Sequence, residues 1–141
     1  MIFIHAGEGW MFYGNHYYLN IRSNATWHNA KLACENIGAH LVTIETEEEN
    51  TWLTETFVPV WDHAECSSWW HCCSHWIGAN DIEQEGRFVW TENNNNVTSY
   101  SNWYPGEPDD NSGQHCVDLC RHGFWEDASC NKITSYICEM D

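Results

Sequence analysis

The chemistry open to this 141-residue chain is that of oxygen donors: Asp and Glu number 21 against five Lys and Arg, for a formal charge of −16. Carboxylates gathered at one place suit a hard cation such as calcium, which takes about six to eight oxygens. Spread over a surface, they only keep a fold in solution. Composition does not choose between the two, so position must. The stretch between Trp90 and Cys116 is rich in Asn, Ser, Gly, Pro and Asp, has little hydrophobic periodicity, and holds Trp103, Tyr104 and clustered acids. A loop of that length in a compact domain is usually functional or disordered, and its aromatic and acidic content favours function. Taken alone, Glu107-Pro108-Asp109 reads as an ordinary surface turn.

Other chemistries fit poorly. The acidic excess would repel phosphate backbones and anionic membrane surfaces, which excludes nucleic acid as a partner. No apolar run reaches the roughly eighteen residues that a bilayer span needs, so no membrane insertion is expected. No activated Ser, Cys or Lys constellation appears, and paired acids such as Glu126-Asp127 serve better as metal ligands than as acid and base, so the chain is not expected to be an enzyme. Nine histidines, including those of His71-Cys72-Cys73-Ser74-His75, invite zinc. In an oxidising compartment those thiols become disulfides and the histidines ordinary loop residues.

The elements that must position such a loop are legible from periodicity. Trp10, Phe12, Tyr17, Leu19 and Ile21 alternate across Gly14-Asn15, an N-terminal hairpin. Caps at Asn24 to Thr26 precede Trp27, Ala30, Cys34 and Ile37 at helical spacing, ended by Gly38. A strand over 41–44 leads to a second helix, capped at Thr46 with Glu47, Glu48 and Glu49 at its positive end, running to about Phe57. Residues 58–75 read as an irregular insertion stapled by disulfides. Short strands follow at 76–78, 87–90, 115–119, 123–125 and 135–138. The whole reads as one domain.

Eight cysteines, even in number and without paired C-x-x-C knuckles, point to a disulfide framework. Sequons at Asn24-Ala25-Thr26 and Asn96-Val97-Thr98 agree with an exported, extracellular protein. The start Met1-Ile2-Phe3-Ile4-His5 lacks a basic n-region before a sustained apolar stretch and does not read as a signal peptide.

Four features carry a resemblance: Trp76-Ile77-Gly78-Ala79, Glu107-Pro108-Asp109, Trp125-Glu126-Asp127, and Cys34, Cys116, Cys130 and Cys138 in order. Together they resemble the C-type lectin domain, over about residues 9–139. The resemblance implies an α+β double-loop fold with two helices, short antiparallel sheets and a long calcium-binding loop region. It also implies disulfides Cys34–Cys138 and Cys116–Cys130. Cys66, Cys72, Cys73 and Cys120 fall outside that framework, and further bridges, a vicinal bridge and an intermolecular link all stay open for them.

Carried over residue by residue, the resemblance implies a calcium site formed by Glu107, Asp109, Gln114, Glu126 and Asp127, with Pro108 cis. Glu107, Asp109, Gln114 and Glu126 would also meet the sugar, with Trp103 as a stacking face or, alternatively, a loop-packing residue. An auxiliary site would take Asp81, Glu85 and Asp110, with His115 where related chains have an acid; imidazole favours zinc over calcium there. Mannose-type members have Glu-Pro-Asn and galactose-type members Gln-Pro-Asp, whereas Glu107 with Asp109 offers no amide; with acceptors dominating, the lean is to galactose-type sugars. The function implied is calcium-dependent carbohydrate binding by a secreted lectin of innate immunity, with a carbohydrate or glycoconjugate as partner and avidity gained if it forms a homo-oligomer. The rival readings are a lectin-like domain for a protein or other non-sugar ligand, and a zinc-dependent variant of the site.

Overall fold

The computed structural model describes residues 9–58, 74–109 and 113–141. The alternating N-terminal segment forms the antiparallel hairpin β1 (Met11–Tyr13) and β2 (His16–Ala25). Its turn residues take φ of 57° at Gly14 and 72° at Asn15, the backbone that a two-residue hairpin loop requires. The Thr26 hydroxyl then caps α1 (Trp27–Asn36), accepting from Asn29 N, and the helix buries Trp27, Ala30 and Cys34 along one stripe. Helix α2 (Glu47–Phe57) starts the same way, with Thr46 accepting from Glu49 N at 3.1 Å and three glutamates in its first turn.

Between the helices, β3 (His40–Leu41) is shorter than the strand expected over 41–44. Val42 N donates to Ile137 O and Val42 O accepts from Gly78 N, so the chain here bridges two different neighbours instead of extending one ladder. The later strands are β4 (His75–Asn80), β5 (Val89–Trp90), β6 (Gln114–Leu119), β7 (Trp125–Ser129) and β8 (Thr134–Met140). The strand expected over 123–125 begins only at Trp125 and runs on to Ser129 as β7; a 3-10 turn, Arg121–Gly123, precedes it, because His122 and Gly123 hold φ of 65° and 86°, outside strand geometry. His75, expected inside the irregular insertion, opens β4; residues 59–73 of that insertion, with Cys66, Cys72 and Cys73, lie outside the described residues.

The sheet runs β1-β2-β8-β4-β6-β7, with β3 also on β8 and β5 on β4. Its centre is mixed, not purely antiparallel: β4 lies parallel to β8, with His75 opposite Ser135 and Trp76 opposite Tyr136. Every residue of β4 is buried, as a strand covered on both faces must be. One apolar cluster gathers Leu53, Ile77, Val117, Leu119, Trp125 and Ile137; the other surrounds α1 with Trp27, Trp76, Cys116, Tyr136 and Cys138. Cys34–Cys138 ties α1 to β8, and Cys116–Cys130 ties β6 to the turn after β7. Among the described residues no helix is long and apolar enough to cross a membrane.

Candidate metal and ligand site

Helix α2 and the 3-10 turn set the platform. Asn50 Nδ2 donates to Gly123 O at 3.0 Å while Asn50 Oδ1 accepts from Trp125 Nε1 at 2.8 Å, so one buried amide fixes both the turn and the first residue of β7. The loop before the site is then laid along β7: Trp125 N donates to Asn102 O, Tyr104 N to Trp125 O, and Glu107 N to Tyr104 O. These bonds bring the Glu107-Pro108 bond, which is cis as the resemblance implied, against the middle of β7.

Three carboxylates converge there. Ligand oxygens of Glu107, Asp109 and Asp127 all lie within 4.8 Å of one another. Asp127 N donates to Glu107 Oε1 at 3.3 Å and Asp109 N to Asp127 Oδ1 at 3.2 Å, so the backbone holds the side chains in place. Burial, and then the neighbouring carboxylates of Asp127 and Asp109, push the Glu107 carboxyl up to about 8. An all-oxygen set whose members repel each other's charge is the donor chemistry of a hard divalent cation, so these residues fit calcium.

Of the remaining proposed ligands, Glu126 groups with Asp118 instead of with that trio, although it borders the same cleft. Along β7 side chains alternate, and the Glu126 carboxylate turns to Asp118 on the adjacent strand, with Cys120 in the same group. Lys132 Nζ donates to Asp118 Oδ2 at 2.8 Å and reaches Glu126 Oε1 at 3.5 Å. Burial first, and then Asp118, raise the Glu126 carboxyl to about 7. Gln114 begins β6 opposite Ser129, two residues along β7 from Asp127, and its buried Oε1 accepts no hydrogen bond among the described residues.

The auxiliary set also assembles. His115 Nδ1 stands 3.0 Å from Asp81 Oδ1 and 3.3 Å from Glu85 Oε1, and Asp81 Oδ2 accepts from Gly86 N at 2.9 Å. Asp110, the fourth residue of this set, lies outside the described residues.

Trp103 is where packing overrides the stacking expectation. Its ring meets Phe88 and Trp125 edge-on, at centroid distances of 5.0 and 5.8 Å, and it belongs to the apolar cluster. The residue that lines the ligand cleft is its neighbour Tyr104, T-shaped against Phe124 at 5.3 Å. The cleft, of about 600 Å³, is bordered by these rings, Arg121, Glu107, Asp109 and Glu126. Sequence reasoning missed Phe124 and Arg121 here. The period-two alternation that buries Trp103 beside Trp125 was the available signal for Tyr104.

Residues 23–140 match the family model described as the lectin C-type domain. The chain is 32% identical over 137 residues to lectin BRA-3 of Megabalanus rosa, covering 93% of this chain and 75% of that protein. It is 31% identical over 135 residues to the CD209 antigen-like protein D of Mus musculus; that match takes in 95% of this chain but spans about half, 52%, of the relative. Among solved structures, the mouse scavenger receptor C-type lectin carbohydrate-recognition domain superposes with a TM-score of 0.82 at 32% identity, over 95% of this chain and 94% of that one. A calcium-independent type II antifreeze protein superposes with a TM-score of 0.78 at 25% identity, over 94% and 91%. With the two helices, the mixed sheet, both disulfides and the looped acidic cleft in agreement, the chain belongs to the C-type lectin domain family.

Proposed function

We propose that this chain is the calcium-dependent carbohydrate-binding domain of a secreted protein. The observation that carries the reading is the convergence of Glu107, Asp109 and Asp127 at the edge of a cleft walled by Tyr104 and Phe124. Glu107, Asp109 and Asp127 would hold the cation, with Gln114 and Glu126 as further donors. A calcium ion supplies coordination to the vicinal hydroxyls of a sugar. The chain's own acids accept hydrogen bonds from those hydroxyls, and the ring faces cover the apolar side of the pyranose. The solved relative named for carbohydrate recognition supports this reading. The acceptor-only triplet favours galactose-type sugars, the physiological setting is recognition of microbial or cell-surface glycans in innate immunity, and oligomerisation would raise weak single-site affinity.

A glycan array run with calcium, with zinc and with chelator tests it. Binding is expected with calcium and lost with chelator, and Asp109→Ala should weaken it by more than about tenfold. The calcium-independent antifreeze relative supports one rival, a non-sugar ligand on the same fold. Sugar binding under none of the three conditions would favour that rival. Binding with zinc alone would favour the zinc-dependent variant, and undiminished binding by Asp109→Ala would move the site elsewhere.

A further inference from the structure

Away from the lectin cleft, three adjacent strands bring metal-ligating side chains to one patch. In the β2–β8 ladder Tyr17 faces Met140 and Tyr18 faces Glu139, which sets His16 beside Asp141; in the β3–β8 ladder His40 faces Glu139. Side chains at alternate positions share a face, so Glu139 and Asp141 lie together with their cross-strand neighbours His16 and His40. Glu92, on the turn after β5, comes over the same patch.

The distances are those of a ligand cluster. His16 Nδ1 stands 3.0 Å from Glu139 Oε2 and 2.7 Å from Asp141 Oδ1, and His40 Nε2 stands 3.0 Å from Glu92 Oε2. The ligand atoms of His16, Glu139 and Asp141 all lie within 4.8 Å of one another, as do those of His40, Glu92 and Asp141. Both ring nitrogens are shielded from solvent, and neither meets its carboxylates in hydrogen-bonding geometry.

Backbone contacts orient two of these side chains. His40 Nδ1 lies 2.8 Å from Leu41 O, a contact that fixes the ring with Nε2 toward the Glu92 carboxylate. A histidine that donates one N–H to a backbone carbonyl and presents its other nitrogen to carboxylates has the arrangement of a metal ligand. Glu139 is oriented likewise: its Oε1 accepts from Thr43 N at 2.9 Å, which leaves Oε2 for the cluster.

We propose that this patch is a zinc-class metal site centred on Asp141, whose carboxylate is common to the His16–Glu139 and His40–Glu92 arms. Mixed imidazole and carboxylate donors select zinc over calcium, which takes oxygen alone. An ion on the first arm would clamp the N-terminal hairpin to the end of the last strand, and one on the second would clamp β3 and the turn after β5 to it, independently of sugar.

Zinc is titrated into calcium-saturated protein by calorimetry, with histidine ring nitrogens followed by NMR. Wild-type protein is expected to bind zinc with shifts at His16 and His40. His16→Gln, His40→Gln and Asp141→Asn should each weaken binding by about tenfold or more, while His28→Gln, at an exposed position of α1, leaves it unchanged. Asp141 is exposed, so its variant separates ligand loss from misfolding, and circular dichroism verifies the fold of each variant. Absence of zinc binding in the wild type overturns the site. So does zinc affinity unaltered in the two histidine variants, or zinc displaced by millimolar calcium. Calcium-dependent glycan retention through Asp109 is read in the same samples, so failure of the lectin site and failure of this one are seen separately.

Discussion

Glu107 is the residue on which cation and proton compete. Its carboxyl sits up to about 8 because it is partly buried and faces Asp127 and Asp109. Without a cation it therefore keeps a proton at neutral pH, and a cation entering the trio must displace that proton. The sign follows: calcium affinity should climb as pH rises from about 6 towards 8 and level off above it, with close to one proton released per ion at pH 7. Calorimetry in two buffers of different ionisation enthalpy measures the release, and an affinity flat over that range would remove Glu107 from the ligand set. The neighbouring aromatics divide by role. Trp103→Ala opens a gap beside Phe88 and Trp125 and should cost roughly 3–5 kcal/mol of stability. Tyr104→Ala, at a ring 45% exposed in the cleft wall, should weaken glycan binding several-fold while leaving the urea midpoint nearly unchanged. Paired denaturation and binding measurements check both, and the reverse pattern would restore Trp103 as the stacking face.

At the scale of elements, the site depends on a joint between α2 and the 3-10 turn. A Cβ on Gly123 would lie 2.9 Å from Asn50 Nδ2 and 3.0 Å from Thr54 Oγ1, on a residue already at φ +86°. Asn50→Ala leaves the buried Trp125 Nε1 without its acceptor. Each substitution should destabilise the fold by about 1–3 kcal/mol and also loosen calcium, since Trp125 leads directly into Glu126 and Asp127. Urea unfolding with and without calcium reads both effects, and a variant that lost stability with unaltered calcium affinity would uncouple the joint from the site. Local features of these elements were legible in the sequence. Alternation around Gly14-Asn15, the capping threonines Thr26 and Thr46, and the acids of the loop are short-range signals written in neighbouring residues. The parallel pairing of β4 with β8 joins residues about sixty positions apart and leaves no local mark. The departure of Glu126 from Asp127 was readable in principle, because adjacent residues on a strand face opposite ways. Phe124 and Arg121 escape a sequence reading that starts a strand at Gly123 and sees no turn at His122.

On the scale of the whole molecule, one fact bears on everything else: a formal charge of −16 on 141 residues. A compact state of that charge repels itself, and the repulsion is greatest where carboxylates are held together. Salt screens the diffuse part of it over about 10 Å at 0.1 M, but does little for buried clusters. A cation bound between Glu107, Asp109 and Asp127 neutralises them at contact, which diffuse salt does not, and because the unfolded chain has no such cluster, binding adds to folding free energy. At calcium about a hundredfold above its dissociation constant the gain is about 2.7 kcal/mol. For a domain of this size each kcal/mol moves Tm by roughly 2–4 °C. Removing calcium with a chelator should therefore lower Tm by about 5–10 °C. Added sodium chloride should recover only a minor part of that drop, whereas added calcium should recover all of it. Superimposable melts with calcium and with chelator would mean that the acidic cleft is not coupled to a cation at all. A drop reversed equally by sodium chloride would assign the effect to overall charge instead of to the three carboxylates.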